Sequence, residues 1–340
     1  MTIDTPLEEL AFRLLQDNAK YAHCAGVWIN NYKVARDKVY ELLKNVPEAE
    51  PGLTDHSETH VRDVFRRAYE LLGEDCAEDM VGLEPGLLTP PDLMGLVCTI
   101  LYHDVGNVTG RDSHEKKIVE VFTGTWPDAA SHQGIRKIVR DAGGAHSGKA
   151  QDGSDDTLAR IDPDTTGEYG ETIQLRDIAA ITRFADELAE GPQRTNAYMR
   201  AHKLIRAGSE LHHCYSSVTR IRVDRGNHRI VLQYNIDLKT LSACTLRKLL
   251  RMAYGRIIKL NWERQLARHH CKPLSCFKQT EASFCFEKDG VPVNWDRETI
   301  VLNDISVGGH SPARDFVDQF ERYRIPLVIR DLMTSDIGGR

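Results

Sequence analysis

The chain has 340 residues with 41% hydrophobic and 28% charged side chains, ordinary globular composition and enough length for two domains. The longest apolar runs fall short of the roughly 18–20 residues that cross a bilayer, and MTIDTPLEEL lacks the basic and apolar regions of a secretory signal. A membrane protein and a disulfide scaffold are therefore excluded, and the eight scattered cysteines read as reduced thiols of a cytoplasmic protein. The net charge of −6 conceals an asymmetry: residues 191–279 carry 18 Lys/Arg against 4 Asp/Glu, the remainder 26 against 46. Such a stretch suits an anionic partner, or is a solvated surface facing the acidic remainder.

In chain order, apolar residues recur at helical spacing over 7–20 and 27–45, and Pro47 and Pro51-Gly52 end the second helix. A helix starting at Thr54 or Asp55 runs to about Leu72, with Val61, Val64, Phe65, Ala68 and Leu71 on its inner face; Asp55 and Glu58 have capping-box spacing. Pro90-Pro91 fits the first turn of DLMGLVCTILYHD, apolar nearly all round and hence buried, with Gly106 just past its end. Asp112 and Glu115 have the spacing to cap a further helix, and residues 132–141 form another that ends at Gly143-Gly144. Residues 150–171 read as a long acidic surface loop, and LRDIAAITRFADEL (175–188) as an amphipathic-to-buried helix. No strand is expected up to that point. After about residue 215 the period becomes two: TRIRVD and RIVLQYNID flank a turn at Arg225–His228, a basic helix covers 239–268, and SFCFEKDGVPV forms a second hairpin at Asp289-Gly290. A helix over 312–322 and the apolar IPLVI complete the chain. The expected architecture is mainly α: a helical bundle over residues 1–205, then a smaller α+β domain over 206–340.

His103-Asp104, at the end of a buried apolar helix, demands a reason, because burying an unpaired carboxylate costs several kcal/mol. His60 on the inner-face helix and Asp186 on AAITRFADEL bring one imidazole and one carboxylate more towards the same core. A divalent cation offsets the cost, and a mixed nitrogen and oxygen set suits Mn, Fe, Mg, Zn, Co or Ni with positions left for water and substrate. Cys271 and Cys276 near His269 and His270 lack the closer spacing of zinc ligand pairs.

The order H…HD…D, carried by DHSETHVRDVFRRAYELL, LVCTILYHDVGN and ITRFADEL, resembles the HD superfamily of metal-dependent phosphohydrolases over residues 50–205. LTDHSETH and ITRFADELAEGPQRT look most like HD domains of bacterial conflict-system proteins and of exopolyphosphatase-like proteins. The resemblance implies an HD-type bundle holding one or two divalent ions on His60, His103, Asp104 and Asp186. His60 is preferred to His56 as first ligand because Val64 follows four residues later; His56, one turn earlier, lines the site and contacts substrate or is an exposed helix-start residue. His114 and His146 are the candidates for a second ion, with His132 in reserve. Asp104 orients the attacking water and His114 protonates the leaving group, Glu115 being a capping residue rather than a base.

Family members that cleave cyclic dinucleotides carry HDxGK, whereas this chain has Asn107 at the lysine position. Arg194 and Lys117, then Arg111 and Lys116, are the cations available to an anionic substrate, expected to be a nucleotide. A single-strand nuclease, with nucleic acid as partner, and an idle nucleotide sensor stand as alternatives; few aromatics interleave with the basic stretch to stack on bases.

Overall fold

The computed structural model describes residues 4–46, 54–73, 87–110, 117–146, 155–202, 204–206, 208–295, 298–304 and 321–333. The chain forms two compact units, Met1–Ala189 with Leu266–Cys276 and Glu190–Gln265 with Phe277–Arg340. Mainly helical overall, it confines its larger sheet to the second unit.

The first unit is a helical bundle of α1 (Pro6–Asp17), α2 (Ala22–Leu43), α3 (Glu58–Leu72), α4 (Pro90–Tyr102), α5 (Ile118–Thr125), α6 (Gln133–Gly144) and α7 (Leu175–Leu188). α4 is its axis. Every residue from Pro91 to Tyr102 is buried, and α1, α2, α3, α6 and α7 all pack on it. Its start is fixed by Thr89, which forms a capping box with Asp92 behind the Pro90-Pro91 first turn. Gly95 lets α7 approach closely: a Cβ there would stand 2.9 Å from Ile178 Cδ1. After Tyr102 the chain tightens into a 3-10 turn, Val105–Thr109, that includes Gly106 and ends at Gly110 with φ 106°.

The expected start of α3 needs correction. Ser57, not Thr54 or Asp55, is the N-cap, its hydroxyl accepting from Thr59 N, while the Asp55 carboxylate accepts from Ser57 N one turn too early to enter the helix. Nor is the region before residue 200 free of strands: Thr165–Thr166 (β1) and Thr172–Ile173 (β2) pair antiparallel. Strands of two residues leave no period-2 signal. Their turn is held by Gly167 N donating to Glu171 O and by Gly170 at φ 81°. The expected Asp112–Glu115 cap lies outside the described residues, as does most of the expected 312–322 helix.

The second unit contains the short helix α8 (Ala197–Ala201), then α9 (Glu210–Val218), β3 (Thr219–Asp224) and β4 (Arg229–Asp237). The long helix α10 (Ala243–His270), whose residues from Leu266 on belong to the first unit, and β5 (Gln279–Lys288) follow, then β6 (Val291–Pro292), β7 (Ile300–Leu302) and α11 (Ile325–Met333), which begins with IPLVI. Both expected hairpins form: β3 and β4 pair antiparallel, and β5 turns into β6 through Asp289 and Gly290, both at positive φ. Between them β4 and β5 run parallel from Arg229↔Gln279 to Asp237↔Glu287, a pairing that requires a long crossover, here containing α10. Buried and less buried residues alternate along β4 and β5, Ile230, Leu232, Tyr234 and Ile236 facing the same side as Thr280, Ala282, Phe284 and Phe286. Among the described residues, no helix is long and apolar enough to cross a membrane.

Candidate metal centre

Three helices converge on one point in the first unit. α3 brings His60 on its buried face, the end of α4 brings His103 and Asp104, and the last turn of α7 brings Asp186. One ligand atom from each lies within 4.8 Å of all the others. His60 Nε2 stands 3.1 Å from Asp186 Oδ1 and 3.4 Å from Asp104 Oδ2; His103 Nε2 stands 3.6 Å from Asp104 Oδ2 and 3.8 Å from Asp186 Oδ1. His60 and His103 are inaccessible to solvent at their side chains, and Asp104 nearly so.

The imidazoles are aimed by the backbone. His103 Nδ1 donates to Ile100 O at 2.7 Å, which leaves Nε2 as the unprotonated, inward-facing nitrogen of the neutral ring. His146 Nδ1 donates to Gly143 O at 2.5 Å and His56 Nδ1 to Thr54 O at 2.6 Å, so these rings too present Nε2 inward. His146 Nε2 lies 3.3 Å from Asp104 Oδ1, and His56 Nε2 3.9 Å from Asp104 Oδ2. Four histidines thus surround one carboxylate. The glycines before His146 are not a bend: α6 continues through both, and a Cβ on Gly143 would stand 3.3 Å from Ile118 Cδ1, so its bareness eases the packing of α6 on α5.

The electrostatics at this point favour a positive charge. Burial alone would lower the His103 pKa, yet Asp104 and Asp186 outweigh it and push the ring up to about 9. Burial alone would raise the Asp186 carboxyl, but His103 and His60 hold it well below the usual carboxylate range. His103 Nε2 and both ring nitrogens of His60 are buried with no hydrogen-bond partner, a costly state for polar atoms. A divalent cation on Nε2 of each ring and on the two carboxylates satisfies these inward atoms and the charge together. The donor set, two imidazoles and two carboxylates, is the chemistry such an ion takes. No second group of metal-competent side chains forms among the described residues; His270, beside Cys271, pairs instead with Asp156 at 3.0 Å.

The other sequence candidates divide by location. His146 and His56 join the centre. His132 does not: its Nδ1 pairs with Glu168 Oε1 at 3.1 Å and its Nε2 meets Asn31 Nδ2 at 3.2 Å, beside the start of α6, where Glu168 also accepts from Gly134 N and Ile135 N. Lys117 is on the surface and pairs with Glu120. Arg194 belongs to the second unit, buried in the 3-10 turn Pro192–Arg194. His114, Glu115, Arg111 and Lys116 lie outside the described residues. Sequence reasoning overlooked Arg183, buried on α7 one turn before Asp186, whose guanidinium donates to Thr157 Oγ1 and Ala145 O and so fixes the segment next to His146. An arginine inside the apolar AAITRF was the available signal, by the same logic that singled out Asp186.

A family model described as HD-CE matches residues 50–268, a span that takes in all four converging side chains. No curated protein and no solved structure shows significant similarity to the chain.

Proposed function

The chain belongs to the HD-CE family, and on that premise we propose that it is a metal-dependent phosphohydrolase cleaving a phosphoester or phosphoanhydride, with a nucleotide as substrate. The observation that carries this reading is the convergence of His60, His103, Asp104 and Asp186 with buried histidine nitrogens left unpartnered.

A divalent cation in this donor set supplies a nucleophile from water at neutral pH and withdraws charge from a phosphoryl oxygen. The chain's own residues take separate tasks. His60, His103 and Asp186 hold the ion. Asp104 would hold it with them and would also orient the attacking water. His146 Nε2, facing Oδ1, is the ligand available to a second ion. His56 Nε2, at the same carboxylate, would donate to a phosphate oxygen as the imidazolium, since Nδ1 already donates to Thr54 O. Protonation of the leaving group is assigned to His114.

Elemental analysis of the purified protein, followed by phosphate release from a panel of nucleotides with Mn2+ added, tests the proposal against Asp104→Ala as control. Metal-loaded protein that releases no phosphate from any nucleotide, or releases as much after Asp104→Ala, would sink it.

A further inference from the structure

One exposed face of α10 is basic. Arg247, Arg251, Gly255 and Lys259 follow one another at four-residue intervals, with Lys248 beside them, and all five are exposed. Residues at this spacing share a face of the helix. The opposite face, with Leu246, Leu249, Leu250, Ala253, Ile257 and Leu260, is buried in the second unit. From Arg247 to Lys259 the stripe spans about 18 Å.

α3 offers a contrast of matched surface cations. On α3, Arg62 pairs with Glu58, and Arg66 with Asp63 and Glu70, all at helical spacing. On α10 the sole acid is Glu263, which is buried. Among the described residues no carboxylate pairs with Arg247, Lys248 or Arg251. Arg247 and Arg251, one turn apart, repel each other, which costs helix stability. Gly255 adds to that cost. It weakens a helix interior, and a Cβ there would meet nothing within 4 Å, so no intramolecular packing requires it. It leaves that turn of the exposed face without a side chain.

We propose that this face of α10 docks the phosphodiester backbone of a nucleic acid, with Arg247, Lys248, Arg251 and Lys259 neutralising successive phosphates and Gly255 giving the backbone room to approach. The occupant follows from what the face lacks. A lipid surface or a protein interface needs apolar side chains at the centre of contact. The large exposed hydrophobic residues, Val27, Val34, Tyr169, Tyr198, Met199, Leu204 and Val291, all lie off α10. Phosphates need only cations, and binding through them is independent of sequence. The stripe lies within the basic stretch 191–279, which has 18 Lys/Arg against 4 Asp/Glu. This binding is separate from the hydrolytic reading and needs no metal.

Fluorescence anisotropy with labelled 20-nucleotide single strands of RNA and DNA, and with the DNA duplex, tests it in EDTA, so that failure of the hydrolytic reading leaves the result intact. Four engaged cations give a single-strand log–log salt slope of about −2.8, hence a roughly 50-fold loss of affinity between 50 and 200 mM salt. Arg247→Glu/Lys248→Glu/Arg251→Glu should weaken binding at least ~10-fold at 100 mM salt and flatten that slope, with far-UV circular dichroism unchanged. Gly255→Gln should raise the melting temperature yet weaken binding. The proposal is overturned if the parent binds none of the three nucleic acids, if the triple reversal binds as the parent does, or if phosphatidylserine vesicles bind in place of the oligonucleotides.

Discussion

His146 meets Asp104 on the carboxylate oxygen that the other histidines leave alone. Its Nε2 lies 3.3 Å from Oδ1, whereas His60, His103 and His56 all face Oδ2. A carboxylate so divided can serve an ion on one oxygen and a second ion or a water on the other. His146→Ala is therefore expected to keep the ion held by His60, His103, Asp104 and Asp186 while hydrolysis falls roughly 10–100-fold. Metal analysis and turnover on the same preparation decide it; loss of all metal, or unaltered turnover, would remove His146 from this role.

Removing a member of the cluster itself has another signature. His103→Ala and Asp104→Ala should each empty the site. An ion present at 100 times its dissociation constant contributes about 2.7 kcal/mol of stability, so each variant should melt several degrees below the parent. Chelation should lower the parent's melting temperature and leave the variants where they are. Stoichiometric metal retained by Asp104→Ala would contradict the ligand assignment.

The helices around the centre were legible because their signals are local. The unbroken apolar surface of α4 announced its burial, and a His-Asp pair closing such a helix announced a compensating ion. The misread features depend on tertiary geometry. Asp55-x-x-Glu58 has the spacing of a cap, yet Ser57 is the residue whose hydroxyl reaches a helical N–H. β1 and β2 are too short to carry a period. The parallel pairing of β4 with β5 joins strands that start 50 residues apart, and alternation within each strand says nothing of its neighbour's direction. His146 was found through its glycines, but α6 runs through both, and Gly143 serves instead the close packing of α6 on Ile118.

Asp177 gives a pH-dependent test remote in chemistry from the ion. Burial, and then the neighbouring Asp92 carboxylate, raise its pKa to about 6, against the lowering effect of Arg176. Asp92 is itself fixed by donation from Thr89 and Gln174. In the unfolded chain an aspartate titrates near about 3.9. Below that pH both states are protonated and Asp177 costs nothing. Between about pH 4 and 6 the unfolded chain ionises first, so stability falls as pH rises, and above about 6 the penalty is constant. Asp177→Asn should thus raise the melting temperature at pH 8 and change it little at pH 4. An equal effect at both pH values would locate the gain in packing, not in ionisation.

In the second unit, Arg264 is buried completely on α10 and knots three elements together. Its Nε donates to Thr280 Oγ1 on β5, Nη1 to Phe277 O just before that strand, and Nη2 to Asn261 Oδ1 on its own helix, while Nη1 also pairs with Asp304 at 2.9 Å. Arg264→Met keeps most of the volume but leaves the Phe277 carbonyl, the Thr280 hydroxyl and the Asn261 amide to find other partners in a closed space. Breaking a buried charged network from one side costs about 3–5 kcal/mol, and the expectation here lies at the low end because Asp304 is half exposed and water can replace its partner. Arg264→Lys retains the charge but not the planar fork, so it should recover only part of the loss. Urea denaturation read by circular dichroism measures both. Metal content should remain that of the parent, since the ligands lie on α3, α4 and α7. An unchanged midpoint in Arg264→Met would mean that the three acceptors are satisfied without the guanidinium and that the link from α10 to β5 rests on apolar packing alone.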